Sequence, residues 1–199
     1  MAGLVPAIHV LLVLPPRKDV DARERRQVYA VCARLDCAAG MTARDEGPAM
    51  QDFYVKVGDS VTFAKTVGET DIYLFAGITG DFSVNHVNEQ YMAKSKFGRR
   101  IAHGALIIGY MSTCSTMMID RCNGATLEKT PVSLGYDRVR FLGPVFIGDT
   151  VTLTYTIAEV DARKEQSVAD ISVVNQDGLL VAIARHVLRW VTNVAPSGE

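Results

Sequence analysis

Gly104-Ala105-Leu106-Ile107-Ile108-Gly109-Tyr110-Met111-Ser112-Thr113-Cys114-Ser115-Thr116-Met117-Met118-Ile119 is the longest apolar stretch of the chain, and it carries no charge. Its large apolar residues fall around the whole circumference of a 3.6-residue helix. The stretch is therefore expected to be a helix buried on nearly every side, with something wrapped around it. The wrapping material lies downstream, where residues 132–141, 150–160, 168–175 and 179–190 are rich in β-formers. Their joints are Gly143-Pro144 with Gly148-Asp149, a charged run over 161–166, and Asn175-Gln176-Asp177-Gly178, a favourable hairpin turn. Residues 60–67 alternate weakly and add a further strand. The pattern is that of one α+β domain, a mainly antiparallel sheet curled around one long apolar helix.

Between that first strand and the apolar helix the chain carries punctuation. Gly68-Glu69-Thr70-Asp71 has helix-start chemistry ahead of Ile72, Leu74 and Phe75, and Gly77 and Gly80 are expected to stop the helix. Asp81 then falls on a sharp turn. Asn88 can cap a second short helix running toward Phe97 and ending at Gly98.

Composition narrows the class. The chain has 199 residues, 48% hydrophobic and 22% charged, which excludes a disordered or collagenous protein. Twenty-one Lys and Arg against 22 Asp and Glu leave a net charge of −1, with no footprint for nucleic acid or a membrane surface. Cys32, Cys37, Cys114 and Cys122 lack Cys-x-x-Cys spacing, which fits a reduced, cytoplasmic compartment. The apolar residues 7–14 are too few for a membrane span, and the first basic residue is Arg17, against a secretory signal. Residues 1–50 lack strand alternation and are expected to be a poorly ordered extension, with the domain over 51–192 and a tail over 193–199. The opening Met1 to Val10 also resembles translated copies of a repetitive intergenic element found ahead of unrelated bacterial proteins, which implies a start at Met41 or Met50.

The chemistry sits in Gly77-Ile78-Thr79-Gly80-Asp81-Phe82-Ser83-Val84-Asn85-His86, followed by His103-Gly104-Ala105-Leu106. Asp-x4-His brackets a turn that can bring a carboxylate and an imidazole to one water molecule, supplying a base near neutral pH and a second proton carrier. Alone, the same residues also fit a turn-capping aspartate and a surface histidine. Gly104 opens a buried helix, so its N–H points outward unpaired and can bond an oxygen that gains negative charge. An acid/base pair beside an oxyanion donor suits an enoyl thioester: the donor polarises the carbonyl, water adds at C3, and a proton reaches C2.

These residues resemble the MaoC-like dehydratases and (R)-specific enoyl-CoA hydratases, whose signature is Gly-Asp-x-Asn-Pro-aliphatic-His with a later His-Gly. The resemblance covers about 51–192 and implies the hot-dog fold, hydro-lyase activity on acyl-CoA, and a homodimer or dimer-based oligomer. It implies Asp81 and His86 as the catalytic pair, assigned jointly because coupled groups titrate together. It further implies Gly104 as the oxyanion amide and Ser112 as a supporting hydroxyl. The chain departs from the signature at Ser83, Val84 and Asn85; Ser83 can still support the turn, while the missing proline frees a φ angle.

The remaining candidates have plain alternatives. His103 either touches substrate or is a packing residue at a helix start. Arg99 and Arg100, beside Lys94 and Lys96, either hold coenzyme A phosphates or form a solvated patch. His9 and His186 share no metal-ligand spacing, so no metal is expected, and no cofactor beyond the coenzyme A of the substrate. Two rival readings remain: a thioesterase on the same fold, or a non-catalytic acyl-binding subunit. Deleting residues 1–49 is expected to leave a soluble protein with unchanged activity, checked by expression yield and turnover of the truncated chain.

Overall fold

The computed structural model describes residues 53–193. The expected extension, its alternative start codons and the tail beyond 193 lie outside the described residues. In chain order the elements are β1 (Ser60–Thr66), α1 (Glu69–Thr79), α2 (Val84–Val87), α3 (Glu89–Met92), α4 (Gly104–Arg121), β2 (Lys129–Phe141), β3 (Thr150–Asp161), β4 (Gln166–Val174) and β5 (Leu180–Thr192). One five-stranded sheet runs β1-β3-β4-β5-β2, antiparallel throughout.

Period-two burial makes one face of that sheet the core. Val151, Leu153, Tyr155 and Ile157 of β3, Ala169, Ile171 and Val173 of β4, and Ala184, Leu188 and Trp190 of β5 are all buried. Against them α4 lays Ile107, Met111, Cys114 and Met118, a stripe at helical spacing. Each fully buried large side chain stabilises the fold by roughly 1.5–3 kcal/mol. Trp190 closes one end of the core, its indole N–H donating to the Gly124 carbonyl at 2.8 Å and its ring stacked on Tyr54. The Asn175–Gly178 hairpin forms as expected: Asn175 Oδ1 accepts the N–H groups of Asp177 and Leu179, both at 3.0 Å, and Gly178 takes φ 74°.

Three expectations need correction. The central helix is not buried on every side: Ala105, Gly109, Ser112 and Thr116 form an exposed stripe opposite the buried one. The absence of charge reflects small and hydroxyl residues there, not a full apolar circumference. Secondly, α1 passes through Gly77 and stops at Gly80. A helical glycine costs only about 1 kcal/mol, whereas Gly80 takes the left-handed φ of 80° that turns the chain. Lastly, Asn88 does cap α3, accepting the Tyr91 N–H at 3.0 Å, but the helix is one turn long. Beyond it the hydroxyl of Ser95 donates to the Met92 carbonyl at 2.7 Å and the chain continues in turns to Gly98.

At the β2 edge the register shifts between Ser133 and Gly135 and again between Asp137 and Arg140, which bends the strand. Under this edge His186 is fully buried, its Nδ1 2.9 Å from the Tyr155 hydroxyl, its Nε2 2.8 Å from the Ser133 hydroxyl and its ring stacked on Tyr136. Burial pushes its pKa down from 6.5 to about 4, so the folded state holds it neutral. As pH falls below 6.5 the unfolded chain takes up a proton that the folded chain does not, and stability drops. The expected loss from this group is about 2 kcal/mol between pH 7 and pH 5. Urea unfolding at both pH values checks it: His186→Gln should be less stable at pH 7 yet flatter with pH than the wild type.

Candidate active site

The site forms where α1 ends, α2 begins and α4 starts. After Gly80 reverses the chain, Asp81 is exposed in a turn, its Oδ1 accepting the Ser83 N–H at 3.2 Å. His86 belongs not to that turn but to α2, where it is buried. Its Nδ1 lies 2.8 Å from the carbonyl of Ile101. A carbonyl only accepts, so Nδ1 carries the proton and Nε2 the lone pair. Ile101 in turn donates its N–H to the Asn85 carbonyl at 3.0 Å, so residues 85–86 and 101 are clamped by two bonds. Ile101 also bridges Phe146, and Ala102 donates to the Val145 carbonyl at 2.7 Å, which ties the clamp to the loop after β2.

Of the residues where the chain departs from the family signature, Asn85 meets Nε2 and Ser83 backs it. The Ser83 hydroxyl donates to Asn85 Oδ1, and Asn85 Nδ2 donates to His86 Nε2 at 3.2 Å. Ser83 thus supports the site through Asn85, whose role the sequence alone did not reveal. Burial holds the pKa of His86 below its ordinary value of 6.5, opposed by the Ile101 carbonyl and the Asp81 carboxylate and reinforced by His103. The imidazole is neutral at pH 7 and can act as a base.

Asp81, His86 and His103 each offer a ligand-type atom, all within 4.8 Å of one another. The expected pair is therefore brought together. The imidazoles of His86 and His103 are stacked, with centroids 3.7 Å apart and planes at 27°. His103 Nε2 lies 3.0 Å from the Asp81 carbonyl. A carbonyl only accepts, so this nitrogen is a donor and is not free to ligate an ion.

Gly104 follows His103, the N-cap of α4, so its N–H is one of the helix's first donors and has no intrahelical acceptor. A side chain here would collide: an ideal Cβ would stand 2.6 Å from Cε2 of Phe141. The same ring helps enclose a cavity of about 330 Å³ bounded by Asn85, His86, Gly104, Ile107 and Val181. A mostly apolar chamber with one imidazole and one free amide at its wall can take an acyl chain and hold its carbonyl.

The other candidates fall outside this chamber. Ser112 lies two turns along α4 on the exposed stripe and does not line the cavity. Arg100 is engaged by Glu69 at 2.6 Å and Glu89 at 2.8 Å, which pushes its pKa further up and ties α1 to α3. Arg99 lies over the Phe146 ring at 4.0 Å and pairs with Asp149 at 3.9 Å, its side chain 55% exposed. Phe141 and the Ile101 carbonyl left no signal in the sequence: one acts through a contact across the fold, the other through its backbone.

A sheet curled on one helix, with Asp81 and His86 brought together before the helix begins, defines a hot-dog protein. The MaoC like domain matches residues 52–177, and the chain belongs to that family. It is 39% identical over 111 residues to the (R)-specific enoyl-CoA hydratase of Rhodospirillum rubrum, over 56% of this chain and 72% of that one. It is 28% identical over 113 residues to the 3-hydroxybutyryl-CoA dehydratase of Methylorubrum extorquens, over 57% and 67% of the two chains. The solved (R)-hydratase from A. caviae involved in PHA biosynthesis superposes with a TM-score of 0.60 at 24% identity, over 68% of this chain and 96% of that one.

Gly104→Ala is expected to push the half-exposed Phe141 ring outward, costing about 1 kcal/mol, the low end for overpacking. Phe141→Ala in the same chain should remove that cost, read as a favourable coupling in a double-mutant cycle of urea unfolding.

Proposed function

We propose that the protein is a hydro-lyase that reversibly hydrates a trans-2-enoyl-CoA to an (R)-3-hydroxyacyl-CoA. The observation that carries this reading is the convergence of Asp81 and His86, with His86 and the free N–H of Gly104 together at the wall of an apolar cavity. The names of the relatives support the acyl-CoA substrate and the (R) configuration of the product.

The thioester carbonyl accepts from the Gly104 N–H, which draws electrons from C3. Water held between Asp81 and His86 gives a proton to the pair as its oxygen bonds C3. The C2–C3 π electrons move into an enolate whose oxygen the Gly104 amide holds. The pair then returns the proton to C2 and ends as it began, and dehydration is the reverse. Because Nδ1 of His86 is committed to the Ile101 carbonyl, Nε2 is its reacting atom. One pair serving both carbons places both additions on one face of the double bond. The steps need no group beyond the coenzyme A that the substrate carries, and the partly exposed guanidinium of Arg99 supports contact with one of its phosphates.

We also assign a homodimer and a cytoplasmic location. The open β2 edge and the exposed Ala105, Gly109, Ser112 and Thr116 stripe of α4 support association. Among the described residues no helix is long and apolar enough to cross a membrane.

Loss of the enoyl-thioester absorbance of crotonyl-CoA, followed with a thiol reagent in parallel, tests the activity. Hydration without thiol release is expected. Asp81→Asn and His86→Ala should each lower kcat by about 10²-fold or more, as befits loss of an acid/base group. Thiol release would assign a thioesterase, and saturable binding without turnover across short and medium chains would assign a binding subunit.

A further inference from the structure

His103 is 1% exposed and joins three parts of the site that are distant in sequence. Its Nε2–H donates to the backbone carbonyl of Asp81 at 3.0 Å, across 22 residues. Its ring covers the His86 ring at 3.7 Å, and Phe75 of α1 backs it from 4.8 Å. It also precedes Gly104 and caps α4 without a side-chain cap bond. We infer that His103 is a positioning residue, which holds Asp81 and His86 in register with each other and with the Gly104 amide. The kinetic arm of the test below rests on the hydro-lyase reading above; the spectroscopic arm does not.

Packing alone does not account for a histidine here. With Nε2 donating to Asp81, Nδ1 is buried and has no hydrogen-bond partner among the described residues. A buried acceptor left unsatisfied is destabilising, and a phenyl ring would fill the same slot between Phe75 and His86 without it. What phenylalanine cannot supply is the N–H that fastens the Asp81 backbone. Asp81 needs that fastening, because its turn is exposed and, among the described residues, it is otherwise held by local bonds, its N–H to the Thr79 hydroxyl at 3.3 Å and its carboxylate to the Ser83 N–H. Without it the carboxylate can drift from the water shared with His86, while the Asp81 carbonyl is free to bond solvent.

The comparison is wild type against His103→Phe, which keeps the ring face and loses the donor, and His103→Gln, whose amide nitrogen can occupy the place of Nε2. In His103→Phe kcat for crotonyl-CoA should fall by about 10- to 100-fold with KM within about threefold, since misplacing a reacting group by about an ångström costs of that order. The melting temperature should be unchanged or higher, and His103→Gln should recover part of kcat. In the same proteins, amide ¹H–¹⁵N heteronuclear NOEs over residues 81–86 should drop in His103→Phe and recover in His103→Gln. Turnover within about twofold of wild type in His103→Phe would overturn the assignment. So would a loss of rate that follows a fall in melting temperature equally in both variants, or NOEs over 81–86 that stay at the wild-type level. A wild type without hydratase turnover would sink the functional reading, and the NOE comparison would still decide the positioning role.

Discussion

The seating of α4 on the sheet governs where everything else can be. Ile107, Met111, Cys114 and Met118 lock its buried stripe over β1 and β3, and that packing sets where the helix begins. The beginning matters more than the length, because the first N–H groups of a helix lack internal acceptors and carry its positive end. Gly104 occupies that position with no side chain, so a reacting oxygen can come close. Phe141 from the end of β2 then fills the space that a Cβ would have taken. The glycine therefore answers two demands at once, access to the amide and room for a neighbouring ring.

Around this fixed point the proposed catalytic pair is held mainly through backbone groups. Ile101 accepts from His86 and donates to Asn85, and Ala102 donates to Val145, so the segment leading into α4 doubles as the bracket for the imidazole. The same bond that orients His86 selects its tautomer. Burial depresses its pKa and keeps Nε2 available as a base at neutral pH, while the nearby Asp81 carboxylate limits the depression. Asp81 remains exposed, which lets water reach the pair.

This division explains what could be read from the chain and what could not. Strands with dense β-formers and a turn such as Asn175–Gly178 announce themselves locally, so the sheet's strands were found within a few residues of their ends. The Asp-x4-His spacing works across one turn and one short helix, which is also local. The helix's exposed stripe was hidden because Ala105, Gly109, Ser112 and Thr116 carry no charge, and hydropathy distinguishes poorly between a small residue in contact and one in water. Phe141 and the Ile101 carbonyl depend on contacts made only in the folded chain. The basic residues mislead in the opposite way: Arg99 and Arg100 adjoin in sequence, but two glutamates from α1 and α3 engage one and leave the other over an aromatic ring.

The departure at Ser83–Asn85 has a physical cost and a use. Asn85 donates to the nitrogen that, in the proposed reaction, takes the proton from water, so water has to displace that amide, or share Nε2 with it, before reaction. A net hydrogen bond is worth only about 1 kcal/mol, because the freed amide can bond solvent or substrate. In the resting enzyme the bond, backed by the Ser83 hydroxyl, keeps the imidazole from turning away in a loop that lacks the stiffening of proline at Val84. A side-chain chain of two hydrogen bonds thus takes over part of the restraint that a fixed φ angle would have provided. It does so with groups that can yield when substrate enters.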